Sequence, residues 1–255
     1  PGNTFTWNGT AGDVTLSNGT LSAIAGTGVT RTAVFTPTAG VNSGTASISV
    51  SAGAYQDAAG NNGSAGGTPS LTLDTLAPTI SAIALSGSTG ILNTYLNEGD
   101  TANFSVTFNE VVNLNVTGGS PTVALLVGSS TVLATYVSGA GSNTLVFTTT
   151  IAAGQNDTDG IAIALNALSL NGAVLTDAAA NTSIPTSAAV SSNNTYLVDT
   201  LAPSVSVAFN VASLKTGETA TLTVTVNDKT GSSLTWDGTA GDLTVSGGTL
   251  GALSP

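Results

Sequence analysis

In the stretch "TANFSVTFNE" every second residue is apolar: Ala102, Phe104, Val106 and Phe108 alternate with Asn, Ser and Thr. "TATLTVTVND" repeats the pattern with Ala220, Leu222, Val224 and Val226. A period of two sends alternate side chains to opposite faces of a strand, one towards a core and one towards water. Similar alternation runs through residues 45–50, 145–151 and 160–165 and through the segments ending at Asp74 and Asp199, and no stretch has a helical period. The 31 Gly residues, with abundant Ser and Asn, supply turns between short strands. The chain therefore reads as all-β, its strands packed as antiparallel sandwiches.

Internal repeats divide it. "TFTWNGTAGDVTLSNGTL" at 4–21 returns as "SLTWDGTAGDLTVSGGTL" at 233–250, an offset of 229 positions. Asp-Thr-Leu-Ala-Pro occurs at 74–78 and again at 199–203, an offset of 125, which leaves 104 for the rest of the 229-residue unit. The expected parsing is the back of a first domain at 1–77, a complete second domain at 78–202, and the front of a third at 203–255, of the same type as the first. Pro1 is not a natural start, so a longer parent protein is expected.

Composition narrows the function. The formal net charge is −11 and the only bases are Arg31, Lys215 and Lys229. Nucleic-acid binding needs Lys and Arg to neutralise phosphates, so that class is excluded. Cys and His are absent, which removes thiolate, imidazole and zinc-thiolate chemistry. With neither Lys beside a plausible nucleophile, an enzyme is not expected and no catalytic residue is assigned. No apolar run approaches the ~18–20 residues of a membrane span, so no membrane insertion is expected in this segment.

"AGAYQDAAGN" at 52–61, "AGQNDTDGIAI" at 153–163, "VLTDAAAN" at 174–181 and the two Asp-Thr-Leu-Ala-Pro junctions together resemble the bacterial Ig-like domains of large repetitive surface adhesins and biofilm-associated proteins. The resemblance covers almost the whole chain. It implies tandem Ig-like sandwiches in a linear, rod-like extracellular array, often stiffened by calcium where domains meet. One departure is Ala180, where the family's Asp-Ala-Ala-Gly-Asn has Gly.

The acidic residues recur between the domains. Asp57 matches Asp177, Asp74 matches Asp199, Asp100 matches Glu218 and Glu110 matches Asp228, which accounts for eight of the 14 acids. Seven strands running alternately up and down, as the resemblance implies, would sort them to two poles. Asp100 would open the second strand and Glu110 would end it. The first junction would then gather Asp74, Glu110 and Asp177, and the second Asp100, Asp157, Asp159, Asp199 and Asp228. Carboxylates ~4 Å apart repel by about 4 kcal/mol per pair at an effective dielectric near 20. Clustered acids without nearby bases call for a cation, and calcium, which takes ~6–8 oxygen ligands, suits them. Carrying two more acids, the second junction is expected to bind more tightly. The alternative for each Asp is a turn cap. Asp13, Asp237 and Asp242 read as turn or surface residues, and Trp7 and Trp236 as core anchors.

The resulting expectation is a structural spacer in a secreted or surface-anchored bacterial adhesin, extracellular or on the cell surface. It would serve cell adhesion or biofilm formation, with neighbouring Ig-like repeats of the same chain as its partners and calcium as its ion. The alternative is the repeating subunit of an extracellular filament or surface layer, held by lateral self-association.

Overall fold

A computed structural model describes residues 5–7, 14–228, 243–249 and 251, and every regular element among them is a strand. The architecture is all-β. Trp236, Asp13, Asp237 and Asp242 lie outside the described residues, as does the side chain of Trp7.

The large sheet lies between residues 80 and 176. Ile80–Thr89 pairs with Thr101–Asn115, followed in order by Ser142–Thr150, Ser130–Ser138, Thr122–Val127 and Ala162–Ser169, all antiparallel. Alternation dictates which face is buried. Ala102, Phe104, Val106 and Phe108 are at most 2% exposed, while the residues between them are half-buried. Phe104 stands opposite Phe147 and Val106 opposite Leu145, so the apolar faces of neighbouring strands coincide. Tyr136 meets the Phe147 ring edge-on at 5.8 Å. Val123, Leu125, Ile163, Leu175 and Val198 complete the same core. Each fully buried side chain of this size contributes roughly 1.5–3 kcal/mol by leaving water.

Two features differ from the simple up-and-down expectation. A small second sheet joins Tyr95–Leu96, Leu197–Asp199 and Asn156–Asp157, and its first pair is parallel. The strand expected to end at Glu110 continues to Asn115. Its register breaks between Thr107 and Val112, and beyond the break it pairs with Val174–Thr176. One strand thus pairs with three others along its length, and the irregular stretch where its pairing changes carries Glu110. This is the bending work of a bulge.

Outside residues 80–199 the elements are shorter and barely covered. Val14–Leu16 pairs with Ile48–Val50, Gly19–Leu21 with Phe35–Pro37, and Gly44–Ala46 with Leu71–Leu73. The expected strand over 45–50 is two strands separated at Ser47. Only Ala46, Ala54, Leu73 and Pro78 are buried among the described residues of this part. Further on, Ser204–Phe209 and Leu222–Asn227 form an antiparallel hairpin with no buried side chain.

Candidate metal centre

Each Asp-Thr-Leu-Ala-Pro segment begins with a local turn. Asp74 Oδ1 accepts from the Leu76 N–H at 3.3 Å, and Asp199 Oδ1 from the Leu201 N–H at 3.0 Å. An aspartate bonding the backbone two residues on holds the chain in an Asx turn. The following threonine ties the linker backwards. The Thr75 hydroxyl donates to the Thr38 carbonyl at 2.8 Å and accepts from the Val41 N–H at 3.0 Å. Thr200 does the equivalent, donating to the Gln155 carbonyl at 3.0 Å and accepting from the Gly154 N–H at 2.9 Å. This threonine clamp was missed in the sequence, although the recurrence of Thr beside both aspartates was its signal.

Forward contacts distinguish the first linker. Asn181 Nδ2 donates to the Asp74 carbonyl at 3.1 Å, and the buried Ser183 hydroxyl donates to the Pro78 carbonyl at 2.6 Å. The Thr79 N–H donates to Asn109 Oδ1 at 2.7 Å, and the Asn109 N–H to the Thr79 carbonyl at 3.0 Å. Pro78 is buried, whereas Pro203 is exposed. The chain from 74 to 79 is therefore held by the loop before it and by the sandwich after it.

Three carboxylates converge at that linker. One oxygen each from Asp74, Glu110 and Asp177 lies within 4.8 Å of the others. Asp74 comes from the linker turn, Glu110 from the break in Thr101–Asn115, and Asp177 from the loop after Val174–Thr176. Asp177 is 2% exposed and the other two are half-buried. Its Oδ1 accepts from the Asn181 N–H at 2.8 Å and its Oδ2 from Asn181 Nδ2 at 2.7 Å. Glu110 registers the crowding: loss of hydration, then the charges of Asp74 and Asp177, push its carboxyl above the ordinary range. An all-oxygen set from three separate elements fits a hard divalent cation, with further ligand positions left to carbonyls and water.

The acids expected at the second junction are placed differently. Asp157, 3% exposed, is the hub of its own loop, accepting from the Gly128, Gly160 and Asp159 N–H groups at 2.7, 2.8 and 3.2 Å. Asp159 is exposed and accepts from the Ser192 hydroxyl at 3.0 Å. A hydrogen bond with the Asp157 side chain, reinforced by Ser192, holds the Asp159 carboxyl below its ordinary value. Asp100 Oδ2 caps the Asn97 N–H at 2.8 Å. Asp199 makes its Asx turn opposite Asn156, and Asp228 follows the strand Leu222–Asn227. Among the described residues, Asp74, Glu110 and Asp177 are the one set of three carboxylates close enough to share an ion.

Residues 8–73 and 199–255 match the bacterial Ig-like domain family. No curated protein and no solved structure matches the chain. The two matched stretches are those that share the Trp-bearing repeat, and none of their described residues belongs to the large sheet.

Proposed function

Starting from a chain that carries bacterial Ig-like repeats, a family of surface and extracellular structural domains, we propose that it is a spacer of a secreted or surface-anchored adhesin, stiffened by calcium at a domain junction. In this reading residues 78–202 are one complete sandwich, and 1–77 and 203–255 are parts of two domains of a second type. The observation that carries it is the convergence of Asp74, Glu110 and Asp177 on a linker already bonded on both sides.

The linker fixes direction and the ion would fix angle. Without a cation the three carboxylates oppose the closed junction, by up to about 4 kcal/mol per pair before solvent screening reduces it. Calcium reverses the sign of that contribution, so it binds the closed junction better than the open one and shifts the population towards it. Asp74 ties the ion to the linker, while Glu110 and Asp177 tie it to the sandwich. Among the described residues no three carboxylates converge at the second junction, so the first is the tighter site and the stiffer hinge. Extracellular modules commonly bind calcium at ~10⁻⁴–10⁻³ M, a range in which occupancy follows the surroundings.

Calorimetry and solution scattering on the whole chain, with calcium and with chelator, test this. The expected result is one binding heat, abolished by Glu110→Gln, and a narrower spread of particle dimensions with calcium. No heat, and scattering unchanged on chelation, would remove the ion and leave the acids as turn caps. A cell-attachment assay with the parent protein, with and without this segment, tests the adhesin role separately.

A further inference from the structure

The chain enters the middle sandwich at one pole and leaves it at the other. Ile80 pairs with Phe108 at the entry pole, and Thr89 pairs with Thr101, itself opposite Thr150, at the far one. The strand Ile80–Thr89 therefore runs the length of the sheet, away from the linker that enters at Pro78. The exit segment runs the same way. It starts at the entry pole, where the buried Ser183 hydroxyl donates to the Pro78 carbonyl at 2.6 Å. The Ser187 carbonyl then accepts from the Asn166 N–H at 3.0 Å, and Val190 bridges to Ile163. At its end Thr200 reaches Gly154 and Gln155, which follow Thr150 closely and so lie at the far pole.

Just before the exit, Leu197–Asp199 is set into a socket. Leu96 flanks Val198 in a parallel pair, and Asp157 flanks it on the other side in an antiparallel one. Leu96 and Val198 are fully buried. The Asp157 carboxylate stiffens its wall of the socket, tying it to the turn at Gly128 and to the Asp159 and Gly160 N–H groups. Thr200 closes the mouth. Its hydroxyl bonds both Gln155 and Gly154, and its N–H donates to Asn156 Oδ1 at 3.1 Å.

Tension along the chain would draw Ile80–Thr89 towards the entry pole and Leu197–Asp199 towards the exit. Both strands lie along that pull, so each row of hydrogen bonds is strained as a set and must fail as a set. A row pulled sideways instead opens one bond at a time, and a single bond contributes little. Eight residues of Ile80–Thr89 are paired with the neighbouring strand, against three in the exit strand. The exit strand is therefore the end that yields first.

We propose that Leu197–Asp199, seated between Leu96 and Asp157 and closed in by Thr200, is a latch that carries tension through the middle sandwich. While it holds, the load crosses the sheet from pole to pole. Once it slips, the load falls between Pro78 and Ser183 at the entry pole, where the pairs open in turn. The latch gives the buried Asp157 a task that needs no ion. It rests on the spacer reading for the source of the tension, whereas its strength belongs to this fold alone.

Force spectroscopy on the whole chain in chelator tests it, with handles on introduced cysteines, a residue the sequence otherwise lacks. Thr79→Cys with Ala202→Cys loads the sandwich from pole to pole, and Thr79→Cys with Ile184→Cys loads it at the entry pole; all three positions are exposed. Under one fixed force the pole-to-pole pair should survive at least about tenfold longer, since several bonds rather than one set its barrier. Thr200→Val keeps the side-chain shape and removes both hydroxyl bonds. It should shorten the pole-to-pole lifetime roughly tenfold and leave the entry-pole lifetime unchanged. Ser81→Ala removes the Ser81 hydroxyl bond to the Thr107 carbonyl in the entry strand, and should leave the pole-to-pole lifetime unchanged. Equal lifetimes in the two directions would overturn the latch. So would a pole-to-pole lifetime that responds to Ser81→Ala and not to Thr200→Val. Either failure leaves the calcium heat and the attachment assay to judge the spacer reading on their own.

Discussion

Residues 57–61 and 177–181 fold the same way in different surroundings. In each loop the aspartate N–H donates to the asparagine carbonyl, at 3.1 and 3.2 Å, and Oδ1 accepts the asparagine N–H, at 2.9 and 2.8 Å. Oδ2 takes the asparagine side-chain amide at 2.8 and 2.7 Å. Asp57 is exposed, while Asp177 is buried beside Asp74 and Glu110, and Asn181 reaches on to the Asp74 carbonyl. The turn itself needs only the local sequence. What it does depends on what has been packed against it, and a self-capping turn becomes part of a charged cluster only where a linker passes over it.

The cores beneath the two loops provide the sharpest contrast. Phe147 in "VFTTT" at 146–150 is fully buried, while its counterpart Phe35 in "VFTPT" at 34–38 is only half-buried. Phe147→Ala should cost about 3–5 kcal/mol, the usual range for deleting a buried aromatic. Phe35→Ala should cost well under half of that in the isolated chain, because less apolar surface leaves contact. Denaturant melts of both variants decide it, and equal losses would break the comparison.

Asp177→Ala comes next. It leaves the Asn181 N–H and part of its side-chain amide without their acceptor at a buried position, at a cost of about 2 kcal/mol, slightly offset by relief of the crowding at Glu110. Asp57→Ala removes the same bonds in water, which replaces them, so the global melt should not move. Hydrogen exchange at the Asn181 and Asn61 amides gives the local readout: both should speed up, but only Asp177→Ala should also lower the melting temperature.

Much of this was legible in the sequence because it was periodic or repeated. The alternation through Phe104 and Phe108 is local, so the buried face followed directly from spacing. That Asp74, Glu110 and Asp177 would meet came from the up-and-down strand order that the family resemblance implied, applied to acids that recur between repeats, and the geometry brings them together. Asp157 was assigned to the second junction, with Asp100, Asp159, Asp199 and Asp228, from the pole on which its loop was expected to lie. Burial gave it a different occupation, since three backbone N–H groups already use its oxygens. The break at 107–112 was hidden because it depends on one strand pairing with three others, which no single stretch of sequence records. The Thr75 clamp was hidden for a similar reason, its loop being 34–37 positions away.

A smaller effect separates the two loops by pH. Burial and the neighbouring carboxylates raise Glu110 above its ordinary value of 4.5, so the folded chain holds that proton more firmly than the unfolded one. Without metal, this group's contribution to stability should therefore grow as pH falls through the raised value, levelling off below 4.5. Asp57 runs the other way. The Asn61 side chain, with backbone N–H groups, lowers its carboxyl, so its contribution is present above the ordinary value of 3.8 and fades as pH falls through the lowered one. Melts across the acid range should show the Glu110 trend in chelator, and Glu110→Gln or added calcium should flatten it.

The smallest effect lies at the fourth loop position, where the repeats differ in sequence. Gly60 has φ +86° and Ala180 has φ +69°, both in the left-handed region. A Cβ at Gly60 would meet nothing within 4 Å, so space does not explain the glycine; backbone conformation does. Alanine pays a steric penalty of roughly 1–2 kcal/mol in that conformation, partly offset because it restricts the unfolded chain more than glycine. Ala180→Gly should therefore stabilise the middle sandwich by about 0.5–1 kcal/mol, and Gly60→Ala should loosen the first loop by a similar amount. Denaturant melts report the former and exchange at the Asn61 amide the latter. If Ala180→Gly destabilised the sandwich instead, the methyl group would be contributing packing at the buried junction, and the two loops would differ in their turn chemistry as well as in their surroundings.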